Sequence, residues 1–273
     1  MTDPLAAAVT QHLQRILGAP SSHAALSRDL LRLAANYRLE VLRPRLRAAL
    51  GEVVRDGLFA GMRLLPRAAE GCVIPKLLGC YEGGLQPHLA ALVATVPEVV
   101  LNIGCAEGWY AVGLARLLPA ADILAFDIDP AARGLCAEMA ALNGVQVRVA
   151  GRFDASVFAE CAGRRVLVLC DVEGAERELL DPVAAPGLRD ADLVVEAHDG
   201  GAETGSDAAS VSGMLAARFA PTHDVTRVDL LSRTLRLPPC CDGWPEIDQL
   251  LAVWEMRAAP TPWLVMRARR SLR

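Results

Sequence analysis

The 273-residue sequence has almost no lysine and no excess of positive charge. Its one lysine is Lys76, and 28 basic residues against 32 acidic residues leave a formal net charge of −4. Proteins that bind nucleic acid through its phosphates usually carry clustered positive charge. The charge balance therefore predicts that this chain does not bind nucleic acid.

Zinc-ligand pairs, spanning segments and a leader-like segment are also missing. The eight cysteines contain no C-x-x-C pair, which predicts reduced, mostly buried thiols. The adjacent residues Cys240 and Cys241 are the exception, because a redox or metal-binding role remains an alternative for this pair. No apolar run is long enough to span a bilayer, and residues 1–10 lack a basic segment. We therefore expect a cytoplasmic protein that does not insert into a membrane.

The dinucleotide fingerprint G-x-G-x-x-G is replaced by a different small-residue pattern. The apolar run 99–103 leads into N-I-G-C-A-E-G-W-Y, with small residues at 104, 106 and 108, and a helical pattern follows through Leu118. Glycines in such a turn allow positive φ and close approach of a ligand, and the N–H groups of the next helix point at it. The pattern predicts a nucleotide-like ligand, and its spacing argues against an NAD-dependent oxidoreductase.

A second strand and helix follow this loop. The run 123–126 ends at Asp127, which comes 23 residues after Gly104. Doubly wound folds place a carboxylate at about this distance, where it binds the hydroxyl groups of a ribose. The D-P step at 129–130 predicts a helix N-cap and first helical residue, and N-G at 143–144 predicts the end of that helix.

The next predicted strand, 145–149, ends before G-R-F-D at 151–154. At this edge of a doubly wound sheet, Phe153 would stack on a base ring and Asp154 would accept from an exocyclic amine. In the alternative interpretation Phe153 belongs to the core and Asp154 caps the next helix.

Two apolar strands bring acidic residues to the same edge. Val166–Cys170 is followed by D-V-E-G-A-E at 171–176, and the strand 193–195 is followed by E-A-H at 196–198. Ligands of open α/β sheets bind outside the carboxyl ends of the strands. We therefore expect four side chains to meet there: Asp171, Glu173, Glu196 and His198.

The regions on either side of this pattern carry weaker signals. Residues 3–65 show helical periodicity, and we predict an N-terminal helical region that extends to residue 70. This region would be a solvated surface, a cap over the site, an anion-binding patch or a dimer surface. Glu82 lies between glycines before the first strand. Two interpretations of Glu82 are open: it contacts the ligand, or it is a surface acid or a helix cap. Residues 71–273 form the predicted main domain, with a substrate-facing insertion at 232–262.

In the C-terminal part, the loop at 201–210 has the composition of a lid. We predict a helix at 211–219 and strands at 224–230 and 263–268.

The order of these motifs resembles the FkbM-type class I methyltransferases, which depend on S-adenosylmethionine (SAM). The resemblance covers roughly residues 75–200 and rests on Y-E, N-I-G-C-A-E-G-W-Y, A-F-D-I-D-P, L-N-G, D-V-E-G-A-E and V-V-E-A-H. This chain has Asn102 and Asp127 where the family usually has Asp and Glu, and Ala106 replaces the middle glycine of the class I motif. The resemblance implies a Rossmann-like α/β fold with a mostly parallel sheet and a reversed last strand.

The resemblance also implies O-methylation of a small molecule, typically a natural product or a sugar. The expected SAM site comprises Glu82, Asn102, Gly104, Cys105, Ala106, Gly108, Asp127, Ile128, Phe153, Asp154 and Asp171. N- or C-methylation and a non-catalytic SAM-fold scaffold are the alternatives.

Two chemistries are open for removing the acceptor proton. His198 is the expected general base, oriented by Asp171 and Glu173, because histidine titrates near neutrality. Alternatively Asp171, Glu196 and His198 bind a divalent metal such as Mg²⁺ or Mn²⁺, which polarises the acceptor oxygen.

Overall fold

The computed structural model describes residues 4–19, 22–68, 71–199, 210–230, 237–257 and 261–269. The helices within these ranges are α1 (Pro4–Gly18), α2 (His23–Leu50), α3 (Val73–Leu78), α4 (Gln86–Val93), α5 (Trp109–Leu117), α6 (Pro130–Asn143), α7 (Val157–Glu160), α8 (Glu176–Leu179), α9 (Val211–Phe219) and α10 (Glu246–Ala252). The strands are β1 (Val99–Ile103), β2 (Asp122–Phe126), β3 (Arg148–Ala150), β4 (Val166–Cys170), β5 (Asp192–Glu196), β6 (His223–Val228) and β7 (Trp263–Ala268). Two 3₁₀ turns, Pro186–Arg189 and Pro239–Cys241, complete the described elements.

The strands form one sheet in the order β3-β2-β1-β4-β5-β7-β6. β1 to β5 are parallel, whereas β7 is antiparallel to both β5 and β6. This confirms the predicted Rossmann-like, mostly parallel sheet with a reversed last strand. The strand order reverses between β1 and β4, and open α/β sheets bind ligands at such a point.

The centre of the sheet is apolar on both faces. Every residue of β1, β4 and β5 is buried, as expected for parallel strands covered by helices on both sides. Residues that alternate along these strands contribute to two separate hydrophobic clusters, one on each face. The ends of the strands are therefore held rigidly, and the side chains that follow them start from fixed positions.

The ends of α6 confirm the predicted capping. The side chain of Asp129 accepts a hydrogen bond from the N–H of Ala131 at 2.9 Å, and Pro130 is the first helical residue. Gly144 ends the helix in the left-handed conformation with φ +65°. Val145 then donates its N–H to Ala140 in this helix end. The pairing of β3 with β2 begins only where Arg148 meets Leu124, so the prediction of a strand from residue 145 was wrong.

The helical prediction for residues 3–65 holds only as far as Leu50. Gly51, Gly57 and Gly61 have φ of +73°, +76° and +80°, and these left-handed positions break the chain into turns. A single antiparallel bridge joins Val53 to Arg63 in this irregular segment.

The C-terminal predictions are accurate for α9 and β7, whose bounds agree with the sequence. β6 begins at His223 and ends at Val228, earlier than predicted, because its pairing with β7 stops where Val228 meets Trp263. Of the described helices, none combines the length and the apolar character needed to cross a bilayer.

Candidate active site

The loop between β1 and α5 has the backbone conformation that its small residues predict. Gly104 and Gly108 have φ of +78° and +91°. A Cβ atom on Gly104 would lie 1.6 Å from the carbonyl oxygen of Asp171, and one on Gly108 would lie 2.9 Å from Sγ of Cys136. The loop therefore needs glycine at both positions, to turn and to pack against the end of β4 and against α6. Ala106 also has a left-handed φ, +46°.

Asp127 joins this loop to the end of β2. Its Oδ2 accepts a hydrogen bond from the N–H of Ala106, and its Oδ1 accepts one from the N–H of Asp129, both at 2.9 Å. A carboxylate oxygen has two lone pairs, so the same group can also accept from a ribose diol. Ile128 follows with 81% of its surface exposed, which leaves an apolar side chain available beside that position.

Two other predicted cofactor residues have buried side chains. Asn102 is fully buried; its Nδ2 lies 3.4 Å from the carbonyl oxygen of Gly104, and its Oδ1 has no hydrogen-bond partner among the described residues. The hydrogen bond of Cys105 with Cys136, together with burial, raises the pKa of the Cys105 thiol. Since that thiol is turned into the protein, Cys105 offers only its backbone to a ligand.

Phe153 lies in the core, as in the alternative interpretation, but Asp154 does not cap the next helix, because the N-cap of α7 is Ser156. The Phe153 ring is 7% exposed and meets Phe126 edge-on, with ring centroids 5.4 Å apart. Oδ1 of Asp154 accepts from the N–H of Ser156 at 2.8 Å, and the hydrogen bonds to Ser156 lower the pKa of this carboxyl. The Phe153 ring is therefore part of the hydrophobic cluster on this face of the sheet.

Acidic side chains surround His198 beyond the ends of β4 and β5. Nδ1 of His198 lies 2.5 Å from Oε1 of Glu176. On the other side of the ring, Nε2 lies 3.4 Å from Glu173 and 3.8 Å from both Asp171 and Glu196. The strand order thus brings together the four side chains that were expected to meet, and it adds Glu176.

The protonation state of His198 follows from these neighbours. Burial alone would lower the pKa of His198, but the hydrogen bond to Glu176 and the charges of Glu196, Glu176 and Glu173 raise it above 6.5. The Glu176 side chain is fully buried. Its carboxylate accepts a hydrogen bond from Nδ1–H, which leaves Nε2 directed at the other carboxylates.

The segment after β4 has an unusual backbone. Glu173 has φ +53°, a left-handed conformation that costs a non-glycine residue energy, and Gly174 follows with φ +114°. The Glu173 side chain is 86% exposed. The turn thus places the exposed carboxylate of Glu173 near His198, together with the buried carboxylates of Glu176 and Glu196.

A second buried group of charges was not foreseen from the sequence. Arg257, from the segment after α10, forms ion pairs with Glu82, Glu196 and Glu255. Burial and the charge of Glu196 raise the pKa of Glu82 to about 8, although Arg257 opposes the shift. Glu82 and Glu196 are both candidate site residues from the sequence, but nothing in the spacing connects either of them to Arg257.

The position of Glu82 corrects its interpretation as a surface or capping acid. It is 1% exposed, has φ +50°, and points its carboxylate at Arg257. It is therefore neither a surface acid nor a helix cap. Close by, Lys76 and Glu107 form another buried ion pair.

The residues around His198 fit a divalent cation. Ligand atoms of Asp171, Glu196 and His198 lie within 4.8 Å of one another. The network that joins this group to Arg257 contains six carboxylates for one guanidinium and one imidazole: Asp171, Glu173, Glu176, Glu196, Glu82 and Glu255. This excess of negative charge and the oxygen-rich ligands suit Mg²⁺ or Mn²⁺.

Among the other predicted features, Cys240 is exposed and Cys241 buried, and all eight cysteines are free thiols. Residues 201–209 of the predicted lid lie outside the described residues, as do 232–236 and 258–260 of the predicted insertion. Its described part includes α10 and carries Arg257.

No protein-family model matches this chain, and no curated protein sequence matches it. The chain is similar in structure to the O-methyltransferase TomG from Streptomyces achromogenes in complex with SAM (17% identity, 71% of this chain and 82% of that chain, TM-score 0.45). It is also similar to cofactor-bound Rv0187 from MTB (19%, 71% and 82%, 0.44) and to an O-methyltransferase from Bacillus cereus in complex with SAH (12%, 96% and 97%, 0.44). At such identities and TM-scores, these likenesses establish neither an activity nor a substrate for this chain.

Proposed function

We propose that this chain is a SAM-dependent methyltransferase that methylates a hydroxyl oxygen of a small molecule, of the natural-product or sugar kind. The observation that carries the proposal is the pairing of two sites at one edge of the sheet. A glycine loop bonded to Asp127 follows β1 and β2, and a histidine faced by carboxylates follows β4 and β5.

The first of these sites would hold the cofactor. Asp127 would accept from the ribose hydroxyl groups, Ile128 would cover the base, and the loop from Gly104 to Gly108 would contact the rest of the molecule through its backbone. Bound SAM supplies the methyl group as an electrophilic sulfonium. We leave Phe153, Asp154 and Glu82 out of the proposed cofactor site because their side chains are engaged elsewhere.

The second site would bind and activate the acceptor. Methyl transfer is an in-line displacement, so the hydroxyl oxygen must be held close to the sulfonium and must lose its proton. Asp171 lies at the end of β4, directly against Gly104, and so belongs to both sites. This contact is the physical reason why the acceptor would meet the cofactor there.

Two routes for the proton depend on the same atom, Nε2 of His198. As a general base, Nε2 would take the proton itself. As a metal ligand, Nε2 would join Asp171 and Glu196 around a cation that acidifies the hydroxyl group. The buried Glu176 favours the metal route, because metal-bound histidines commonly donate their other N–H to a carboxylate.

We also propose membership of the FkbM type, a cytoplasmic location and the absence of nucleic-acid partners, on the sequence features given above. A homodimer through the N-terminal helices is supported by α1, which has no buried residue, and by Leu17 and Leu31, which are 61% and 62% exposed. The predicted boundary at residue 70 is retained for the main domain, although Arg38 of α2 bonds Asp248 of α10.

Calorimetric titration of the purified protein with SAM, S-adenosylhomocysteine and NAD, each with and without Mg²⁺, tests the cofactor site. We expect both sulfur compounds to bind and NAD not to bind. If neither sulfur compound binds, the chain is not a SAM-dependent enzyme and the scaffold alternative takes its place.

Methylation of a screened set of hydroxyl, amine and carbon acceptors then tests the chemistry. Chelation of divalent metal should abolish turnover, and Mg²⁺ or Mn²⁺ should restore it. Full activity in chelator would assign the proton to His198 as a general base.

A further inference from the structure

Arg257 is held among three buried glutamates that come from distant parts of the chain. Its Nη1 donates to Oε1 of Glu196, its Nη2 to Oε1 of Glu82, and its Nε to Oε2 of Glu255 at 3.0 Å. The three glutamate side chains are 6%, 1% and 1% exposed. The planar guanidinium therefore has a separate carboxylate for each of these three nitrogens, which leaves it little freedom to rotate.

Glu196 lies between this cluster and His198, with one oxygen directed at each. Oε1 accepts from Arg257, whereas Oε2 lies 3.8 Å from Nε2 of His198. A carboxylate is planar, so fixing one oxygen also limits where the other can be. Arg257 thus sets the orientation that Glu196 presents to the candidate cation site.

We infer that Arg257 is a positioning residue that makes Glu196 a one-oxygen ligand of the proposed cation. This inference rests on the proposed metal site. Ca²⁺ accepts six to eight oxygens and often takes both oxygens of a carboxylate, whereas Mg²⁺ requires a compact octahedron. Because Oε1 is turned towards Arg257 and only Oε2 faces His198, the site favours Mg²⁺ or Mn²⁺ over Ca²⁺.

The test compares cation binding by the wild-type chain and by Arg257→Lys. Lysine keeps the positive charge but offers one point of contact in place of a fork, so it cannot hold Glu196 and Glu82 in the same geometry. Calorimetric titration of the full chain with MnCl₂ should show affinity about 10- to 100-fold weaker in the variant, as is typical when a residue behind a metal ligand is lost. Ca²⁺ affinity should fall less, so the ratio of Mn²⁺ to Ca²⁺ affinity should shrink.

Glu255→Gln is the matched control. Glu255 accepts from Nε of the same arginine and from the backbone N–H of Glu82, whereas Glu196 accepts from Nη1. This variant disturbs the cluster and leaves the Arg257–Glu196 contact in place, so its Mn²⁺ to Ca²⁺ ratio should stay close to that of the wild type. Thermal melts followed by circular dichroism measure how much each variant loses in stability alone.

If Arg257→Lys fails to fold, the double variant Arg257→Gln, Glu82→Gln provides the comparison. It removes the guanidinium together with the carboxyl group that is bonded to its Nη2, so that carboxyl group is not left buried without its partner, and Glu196 is again released. The same loss of Mn²⁺ preference is expected.

The possible results distinguish a failure of the proposed metal site from a failure of the role inferred for Arg257. If the wild-type chain binds no Mn²⁺, the proposed metal site is wrong and the role of Arg257 falls with it. If the wild type binds Mn²⁺ and a folded Arg257 variant shows the same affinity and the same Mn²⁺ to Ca²⁺ ratio, the metal site stands and Arg257 is only a structural residue.

Discussion

The two halves of the candidate site are built in different ways, although they share one edge of the sheet. After β1 and β2, a single carboxylate, Asp127, accepts from two backbone N–H groups, Ala106 and Asp129. After β4 and β5, side chains bond to other side chains: His198 to Glu176, and Arg257 to Glu196. The first half depends on short stretches of chain, whereas the second is assembled from segments as distant as Glu82 and Arg257.

Because of this difference, the two halves should respond differently to substitutions. A carboxylate held by backbone N–H groups stays in place as long as the loop is folded. In a cluster of buried charges, the loss of one partner leaves the others uncompensated. We therefore expect substitutions in the first half to act locally on cofactor affinity, and substitutions in the second half to affect chemistry, cation binding and stability together.

The largest effect is expected for His198→Ala in the second half. Turnover should fall by about 10²- to 10⁴-fold, the usual contribution of a positioned acid–base group, while SAM affinity stays near its wild-type value. Steady-state kinetics and SAM titration measure the two quantities. His12→Ala, at an exposed position on α1, is the control. Equal turnover in His198→Ala and wild type would remove this histidine from the mechanism.

A smaller, purely cofactor-linked effect is expected for Asp127→Ala. Hydrogen bonds to a charged group contribute about 1.5–3 kcal/mol, which corresponds to roughly 10- to 150-fold in the dissociation constant of SAM. Cation binding at His198 should not change. Calorimetry with SAM and, separately, with MnCl₂ measures both. A parallel loss of Mn²⁺ binding would contradict the division of the site into two halves.

The buried cluster should give the protein a characteristic dependence on pH. The pKa of Glu82 in the folded protein is about 8, above the ordinary value of 4.5, so between these values the folded state holds a proton that the unfolded state releases. This contribution to stability is present below about pH 4.5 and is lost as the pH rises towards 8. In metal-free buffer, Glu82→Gln should therefore flatten the pH dependence of the unfolding free energy measured in urea. A slope unchanged by the substitution would show that Glu82 is ionised throughout this range.

The smallest effect is expected for Asp129→Ala, next to Asp127 in the first half. Loss of the N-cap of α6 should cost about 1 kcal/mol of stability, measured by urea unfolding. SAM affinity should change much less than in Asp127→Ala, because Asp129 uses its side chain on Ala131. If both substitutions weaken SAM equally, the loop as a whole, rather than the Asp127 carboxylate, holds the cofactor.

The sequence by itself determined the local pieces of this protein. Periodicity identified β1, β4, α9 and β7, and capping residues identified both ends of α6, because these features depend on neighbours within a few positions. The acidic residues at the ends of β4 and β5 were also predictable, since parallel strands end at one edge. Where local and long-range forces compete, prediction failed. The Phe153 ring is buried in the core. Residues 51–65 form turns at left-handed glycines, although their apolar residues have helical spacing.

Only the tertiary structure decided which acidic side chain pairs with which basic side chain. Glu82 lies in a loop between glycines and Arg257 lies in the long segment between β6 and β7, yet these two residues, 175 positions apart in the sequence, form one buried ion pair. Glu176 likewise became the partner of His198, although the next acid along, Glu178, has the same chemical character. Which carboxylate meets which cation depends on the distances between side chains across the sheet edge. Those distances are set by the packing of the whole domain and leave no periodic trace in the sequence.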